Sequence, residues 1–348
     1  MTTPDANSVI DLCRSHGFAL AGVAAASRSI HDSTFVKWLN EGKHGEMDWL
    51  SRHVEIRLDP AALVEGAKSV ICVADRYGGN EDPELDRLHG RVARYARGSD
   101  YHKVMKRRLH EISDELLKQN PDDIFRTCVD TAPLFERELA ANAGIGSIGK
   151  HTLLIDQGVG SWLLLGAIVT TIELEPYTGD QSDPCGSCTR CIDACPTDAI
   201  TPWKVDARKC ISYLTIEHRS EIDPVYFPAI GKWIFGCDIC QEVCPHNQPT
   251  DRSVAAPVHE AYGEQTKSLD VLEVLDWDDR ARQDAFMGSS MKRAKLGMIR
   301  RNAVIVAGNI LARTPDPELE SKLRNIEIDT DEDPLVRSTA KAVLHAHR

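Results

Sequence analysis

Residues 236–247, GCDICQEVCPHN, carry Cys237-x2-Cys240-x3-Cys244-Pro245, three thiols closed by a proline. A four-iron cluster takes four thiolates, so the stretch is one ligand short and must be completed from elsewhere. Upstream, CGSCTRCIDACP gives Cys185-x2-Cys188-x2-Cys191-x3-Cys195-Pro196. In runs of that spacing the first three thiolates hold one cluster and the fourth reaches to a second. A structural zinc site would present two separated pairs instead. Cys244 therefore crosses to Cys185, Cys188 and Cys191, and Cys195 joins Cys237 and Cys240. Of the eight cysteines between 185 and 244, Cys210 in VDARKCISYL alone is left for the second set. The competing reading of Cys210 is a lone buried thiol. Segment 197–236, which carries it, is too long for a simple electron carrier and implies a cluster packed against something the insertion also touches.

Composition is consistent with bound metal. The chain has 348 residues, room for two or three domains, with 42% hydrophobic and 27% charged residues, as in soluble globular proteins. MTTPDANSVIDL has neither a basic-then-apolar leader nor a twin-arginine pair. SWLLLGAIVTTI (161–172), the most apolar stretch, is too short to span a bilayer and suits a buried strand. A cytoplasmic protein is expected, where clustered cysteines bind metal rather than pair.

The first 180 residues or so alternate helix and strand patterns. NSVIDLCRSHG (7–17) reads as a helix capped by Asn7, FALAGVA (18–24) and SVICVADRY (69–77) as strands, and YHKVMKRRLHEISDELLKQN (101–120) as a long helix. IFRTCVD (124–130) is strand-like, TAPLFERELAANAG a helix begun by Pro133, and HTLLI (151–155) a strand. Cys72 and Cys128 fall in strands as core residues. GIGSIGK (144–150) fits the dinucleotide pattern of glycines but follows a helix, so it reads as a glycine-rich turn near a cofactor rather than a nucleotide site. Asp130 ends an apolar strand, where α/β domains present catalytic groups; locally, a helix cap competes with that role.

Beyond Cys244 the chain turns helical: SLDVLEVLDW, SSMKRAKLGMIRRNAVIVAGNILAR (289–313) and PLVRSTAKAVLHAH (334–347), compatible with a short HEAT-like array. Segment 289–313 holds Lys292, Arg293, Lys295, Arg300, Arg301 and Arg313 without an acid, whereas 314–333 has eight acids and two bases. The net charge of −12 argues against general polyanion affinity, although a focused patch could still grip phosphates. For the basic cluster alone, a solvated helix face competes with binding.

CVDTAPLFERELAANAGIGSIGKHTLLI, the CGSCTRCIDACPTDAI run, Cys210 in CISYLTIEHR and GCDICQEVCPHN together resemble the epoxyqueuosine reductases, as do RYARGSDYHKVMKRRL (94–109) and IRRNAVIVAGN (299–309). The resemblance implies an α+β multidomain chain. Its parts would be a nitroreductase-like cobalamin domain (1–177), a ferredoxin-like domain with two [4Fe-4S] clusters (178–250) and a HEAT-like helical repeat contacting tRNA (251–348). It implies reduction of the epoxide of an anticodon-loop epoxyqueuosine to queuosine, with electrons from a one-electron donor and base-off cob(II)alamin. The protein would be a monomer with no membrane partner. The cluster ligation it implies is the crossed one: Cys185, Cys188, Cys191 and Cys244 against Cys195, Cys210, Cys237 and Cys240. Asp130 becomes the proton donor, kept protonated by a low-dielectric pocket. Arg57, Asp130, Lys150, Ser212 and Asp238 would line the corrin. Asp100-Tyr101-His102 begins the motif that lends cobalamin a histidine, but Met105 replaces its glycine, which fits a corrin without that ligand. Lys292, Arg293, Lys295, Arg300 and Arg301 would grip tRNA phosphates, with Arg97 and Lys106–Arg108 as a second patch. The rival readings are a reductive dehalogenase and a non-catalytic iron–sulfur electron-transfer module.

Overall fold

A computed structural model describes residues 5–78, 85–179 and 182–346. Its central layer is a four-stranded antiparallel sheet in the order Leu20–Ala25, Ser69–Arg76, Leu163–Thr170, Phe125–Cys128. The middle strand SVICVADR is buried along nearly its whole length because both faces of the sheet are covered. Ile71 and Val73 point to one side, into a core with Val9, Cys13, Met105, Leu109 and Ile112 from helices Ala6–Ser15 and Tyr101–Gln119. Val70, Cys72 and Ala74 point to the other, against Leu139 and Ala140 of helix Glu136–Asn142. Cys72 and Cys128 are core residues, as expected, and burial pushes the Cys128 thiol up to about 12.

Several boundaries differ from the sequence reading. The first helix is capped by Asp5, whose carboxylate accepts the Ser8 amide, rather than by Asn7. The helix expected from Pro133 begins only at Glu136, with Phe135 at its cap, so Asp130 is not a helix cap. The glycines of GIGSIGK build a tight two-stranded hairpin, Ser147–Ile148 against Leu154–Ile155. A Cβ on Gly146 would lie 2.4 Å from the Ile155 carbonyl oxygen, so only glycine fits there.

A second sheet joins distant parts of the chain: His89–Val92 pairs parallel with Trp233–Phe235 and antiparallel with Ser268–Asp270. Its core continues through Ile211, Leu214 and Ile230 of the inserted segment into Ile299, Val304, Val336 and Val343 of the C-terminal helices. The insertion is thus bound into the C-terminal core. The expected 289–313 helix is two elements, a 3-10 turn Ser290–Arg293 and a helix Leu296–Leu311. Helices Pro317–Ile328 and Pro334–Ala346 pack beside the latter. No helix among the described residues is long and apolar enough to cross a membrane.

Candidate active site and iron–sulfur centre

The eight clustered thiols fall into two electrostatic neighbourhoods. Cys191 feels the charges of Cys185, Cys188 and Cys244, and Cys244 those of Cys185 and Cys188. Cys237 feels Cys210 and Cys195, Cys240 feels Cys237 and Cys210, and Cys210 feels Cys195. The neighbourhoods adjoin, since Cys240 also senses Cys191. Burial is the main cause that raises Cys191, Cys210, Cys237, Cys240 and Cys244, Cys191 to about 11, so nearby positive charge is needed to hold these five as thiolates. Backbone amides already face the sulfurs: the Lys150 N–H donates to Cys185 Sγ at 3.3 Å and the Ala199 N–H to Cys195 Sγ at 3.4 Å. The Ser212 and Tyr213 amides, opening the helix Ile211–Ile216, point at Cys210. Thiols free of disulfides with converging N–H donors are a donor set that fits iron–sulfur cubes. The sets are open: among the described residues no three His, Cys, Asp or Glu close in as a single ion requires.

Asp130 lies where the strand Phe125–Cys128 runs out, in left-handed backbone at φ 50°. Residues other than glycine hold that conformation at a cost and cluster at functional sites when they do. Its side chain stays 49% exposed, although the surrounding protein is the strongest single influence on its carboxyl. A group ringed by protein yet reached by water lines a recess. The Asp130 amide donates to Glu136 Oε1 at 2.7 Å, and its Oδ2 lies 3.0 Å from His102 Nε2. Burial pushes the Asp130 carboxyl up, but His102, Arg293 and the Tyr101 hydroxyl outweigh it and hold it below its ordinary range. This corrects the expectation of a carboxyl kept protonated by its pocket. The protonated acid is its neighbour Glu136, raised to about 8 by burial and then by the Asp130 charge.

The residues expected around a corrin do not all meet here. Arg57 is buried with its Nε unpartnered, stacks 5.1 Å from the Trp49 ring centre and senses Glu136 and Asp130. Asp238 is buried, accepts the Arg94 amide at 2.7 Å and acts on Tyr77 and Tyr95; burial raises it to about 6. Lys150 is engaged elsewhere, its Nζ donating to the Gly186 and Cys188 carbonyls at 2.7 and 2.9 Å, so it fastens the first cysteine loop. Ser212 serves Cys210 through its amide.

The basic segment departs most from expectation. Arg301 is fully buried and spends its guanidinium on the carbonyls of Leu214, His218 and Ser220, so it cannot reach a phosphate. Arg300 is held by both oxygens of Glu332 and by the Leu275 carbonyl. Lys292 and Arg293 are exposed but paired with Asp100 and Glu217, while Lys295 is exposed beside them. In the second patch Arg97 is buried against Glu264 and Arg108 against Asp75, leaving Lys106 and Arg107 at the surface. Sequence reasoning missed His102, Glu136 and Arg137 as members of the recess. Arg137 is exposed yet senses Asp130, Glu136 and Cys240 together. ERE after a proline turn gave no signal beyond an acidic first turn.

Paired thiol sets beside a carboxylate-bearing recess mark an iron–sulfur oxidoreductase. The family model described as a 4Fe-4S double cluster binding domain matches residues 184–247, and that described as Epoxyqueuosine reductase QueG, DUF1730 matches 57–131. The chain is 40% identical over 316 residues to the epoxyqueuosine reductase of Xanthomonas campestris pv. campestris, covering 88% of this chain and 87% of that one. It is 36% identical to that of Vibrio cholerae, covering 84% and 80%. A solved epoxyqueuosine reductase from Streptococcus thermophilus superposes with a TM-score of 0.84 at 26% identity, covering 97% of this chain and 89% of that one. A crystal structure of an epoxyqueuosine reductase with a tRNA-Tyr epoxyqueuosine-modified stem loop matches with a TM-score of 0.83 at 27% identity, covering 97% and 88%. The chain belongs to the epoxyqueuosine reductase family.

Proposed function

We infer that this chain is an epoxyqueuosine reductase, an oxidoreductase that removes the epoxide oxygen of an epoxyqueuosine in a tRNA anticodon loop and leaves the alkene of queuosine. The observation that carries the reading is Asp130, held in left-handed backbone inside a water-reached recess next to the second thiol set. A pure electron-transfer module has no use for such a carboxylate.

The reaction consumes two electrons and two protons and releases water. Electrons enter one at a time from a donor protein or reductant, through two [4Fe-4S] clusters ligated in the crossed pattern deduced from the cysteine count. The recess fits a corrin. Arg57, whose Nε is unpartnered and whose guanidinium senses Asp130 and Glu136, would offer such a group a hydrogen bond, with the buried Tyr95 hydroxyl sensing Asp130 nearby. Arg57 and Asp238 would hold cobalamin, which supplies the low-potential reduction of the strained C–O bond. The chain's own part is acid catalysis: Asp130, a carboxylate at rest, would pass on a proton received from a neighbour to the oxygen as its bond to carbon opens, and Arg57 and Arg137 would stabilise negative charge beside it. Of the basic segment, Lys292, Arg293 and Lys295 remain at the surface as phosphate contacts. The domain limits 1–177, 178–250 and 251–348, with nitroreductase-like and HEAT-like character at the two ends, are part of the same reading.

The test is anaerobic. Protein with both clusters, cobalamin and a strong one-electron reductant should convert an epoxyqueuosine-bearing stem loop to one lighter by a single oxygen. An unchanged nucleoside mass, with the clusters demonstrably reduced, would overturn the assignment.

A further inference from the structure

Asp130 rests as a carboxylate, so acting as an acid requires a proton supplied to it, and a neighbour lies in place to supply one. His102 opens the helix Tyr101–Gln119, whose cap is Asp100. Its Nδ1 lies 2.7 Å from Asp100 Oδ1 and its Nε2 lies 3.0 Å from Asp130 Oδ2. Asp100 is itself buried and fixed: its Oδ1 also accepts the His102 amide at 3.2 Å, its Oδ2 accepts Lys292 Nζ at 2.5 Å, and its own amide donates to the Gly288 carbonyl at 2.7 Å. The Tyr101 ring stacks on the imidazole at 4.0 Å and 25°.

Both ring nitrogens therefore face carboxylate oxygens. A neutral imidazole has one N–H and would set a lone pair against one of them. The contacts are satisfied only when the ring carries both protons, or when one sits on a carboxylate. The Nε2···Oδ2 contact is therefore one of two along which a proton can pass between the ring and a carboxylate. The ring also reaches water, being 27% exposed.

We propose that His102, clamped between Asp100 and Asp130, is a positioning residue that loads Asp130 with a proton from solvent, forming a relay Asp100–His102–Asp130. The proposal rests on the reading of Asp130 as proton donor. In the step, the His102 Nε2–H proton moves to Asp130 Oδ2 and on to the substrate oxygen, the bonding pair staying on Asp130 as carboxylate, and Nε2 then regains a proton from solvent. Electrons for C–O cleavage come from the one-electron donor and not from the relay. The charged and titratable groups facing the pair are Lys292 behind Asp100, Tyr101 and Arg293 at Asp130, Glu136 against the Asp130 amide, and Arg57 and Arg137 across the recess. Burial lowers the His102 pKa, but the two carboxylates outweigh it and the net direction is up.

The test uses cluster- and cobalamin-loaded enzyme with the modified stem loop. His102→Ala and His102→Gln should lower kcat about 100-fold, leave KM for the stem loop unchanged and abolish the basic limb of the pH profile. Added imidazole should restore His102→Ala and not His102→Gln. In ¹⁵N-histidine-labelled protein, His102 should remain imidazolium at pH 7 and lose that state in Asp100→Asn. Wild-type kcat and pH profile in His102→Ala, no rescue by imidazole, or a neutral His102 at pH 7 would each overturn the relay. If Asp130→Asn is inactive meanwhile, the donor assignment stands without it. Full turnover by Asp130→Asn would overturn the donor assignment and the relay together.

Discussion

Glu136 and Asp130 share one recess and have opposite protonation, and the difference has a consequence for stability. Glu136 is raised from 4.5 to about 8, first by burial and then by the Asp130 charge. Between those values the unfolded chain has released a proton that the folded chain still holds, so this group makes stability fall as pH rises through the window. Glu136→Gln keeps the acceptor for the Asp130 amide and removes the titration. Its melting temperature should match the wild type near pH 5 and exceed it progressively toward pH 8; a constant gap would mean that Glu136 titrates normally. Asp130 is a converse case at the backbone. Asp130→Gly should relieve about 1–3 kcal/mol of left-handed strain, raising the melting temperature while abolishing turnover. Asp130 stood out in the sequence because it ends an apolar strand, but a helix cap competed there and only the family resemblance pointed to a proton donor. Its partners did not stand out, since His102 and Glu136 reach it only after the helix 101–119 and the turn 131–135 have folded against the sheet.

The helix Leu296–Leu311 shows where a charge count misleads. Its residues Met298, Ile299, Ala303, Val304, Ile305, Val306, Ala307 and Ile310 are buried on all sides, which is the pattern of a central helix rather than a surface one. An arginine inside such a run must satisfy its N–H groups internally. Arg301 does so on the carbonyls of Leu214, His218 and Ser220, and Asn302 donates to the Thr215 and Ile234 carbonyls at 2.9 and 3.0 Å. Arg301→Leu would strand those carbonyls in the core and should cost about 3 kcal/mol or more, visible as a lower urea midpoint. Lys295→Ala, at the exposed start of the helix, should leave that midpoint unchanged and weaken stem-loop affinity, with a shallower salt dependence. The apolar run IVAGNIL was there to be read; weighing the charges only as a solvated or a binding face concealed it.

At the scale of the whole molecule, cysteine arithmetic was the most transparent part of the sequence, because counting thiolates needs no knowledge of the fold. Strand order was opaque. The antiparallel sheet and the joining of 89–92, 233–235 and 268–270 depend on contacts between remote segments that no local pattern encodes. The cysteine count makes a prediction that spans both motifs. If the ligation is crossed, Cys188 and Cys244 serve one cluster although they lie in different motifs, while Cys188 and Cys237 serve two. A Cys188→Ser/Cys244→Ser double variant should therefore retain about four of about eight irons per chain, with one reduced-cluster resonance remaining. A Cys188→Ser/Cys237→Ser double variant should approach none. Uncrossed ligation predicts that both double variants lose both clusters, so equal iron content in the two proteins would refute the crossing. Cys210→Ser should reproduce the loss seen for Cys237→Ser, because both sulfurs belong to the neighbourhood that the insertion carries into the C-terminal core.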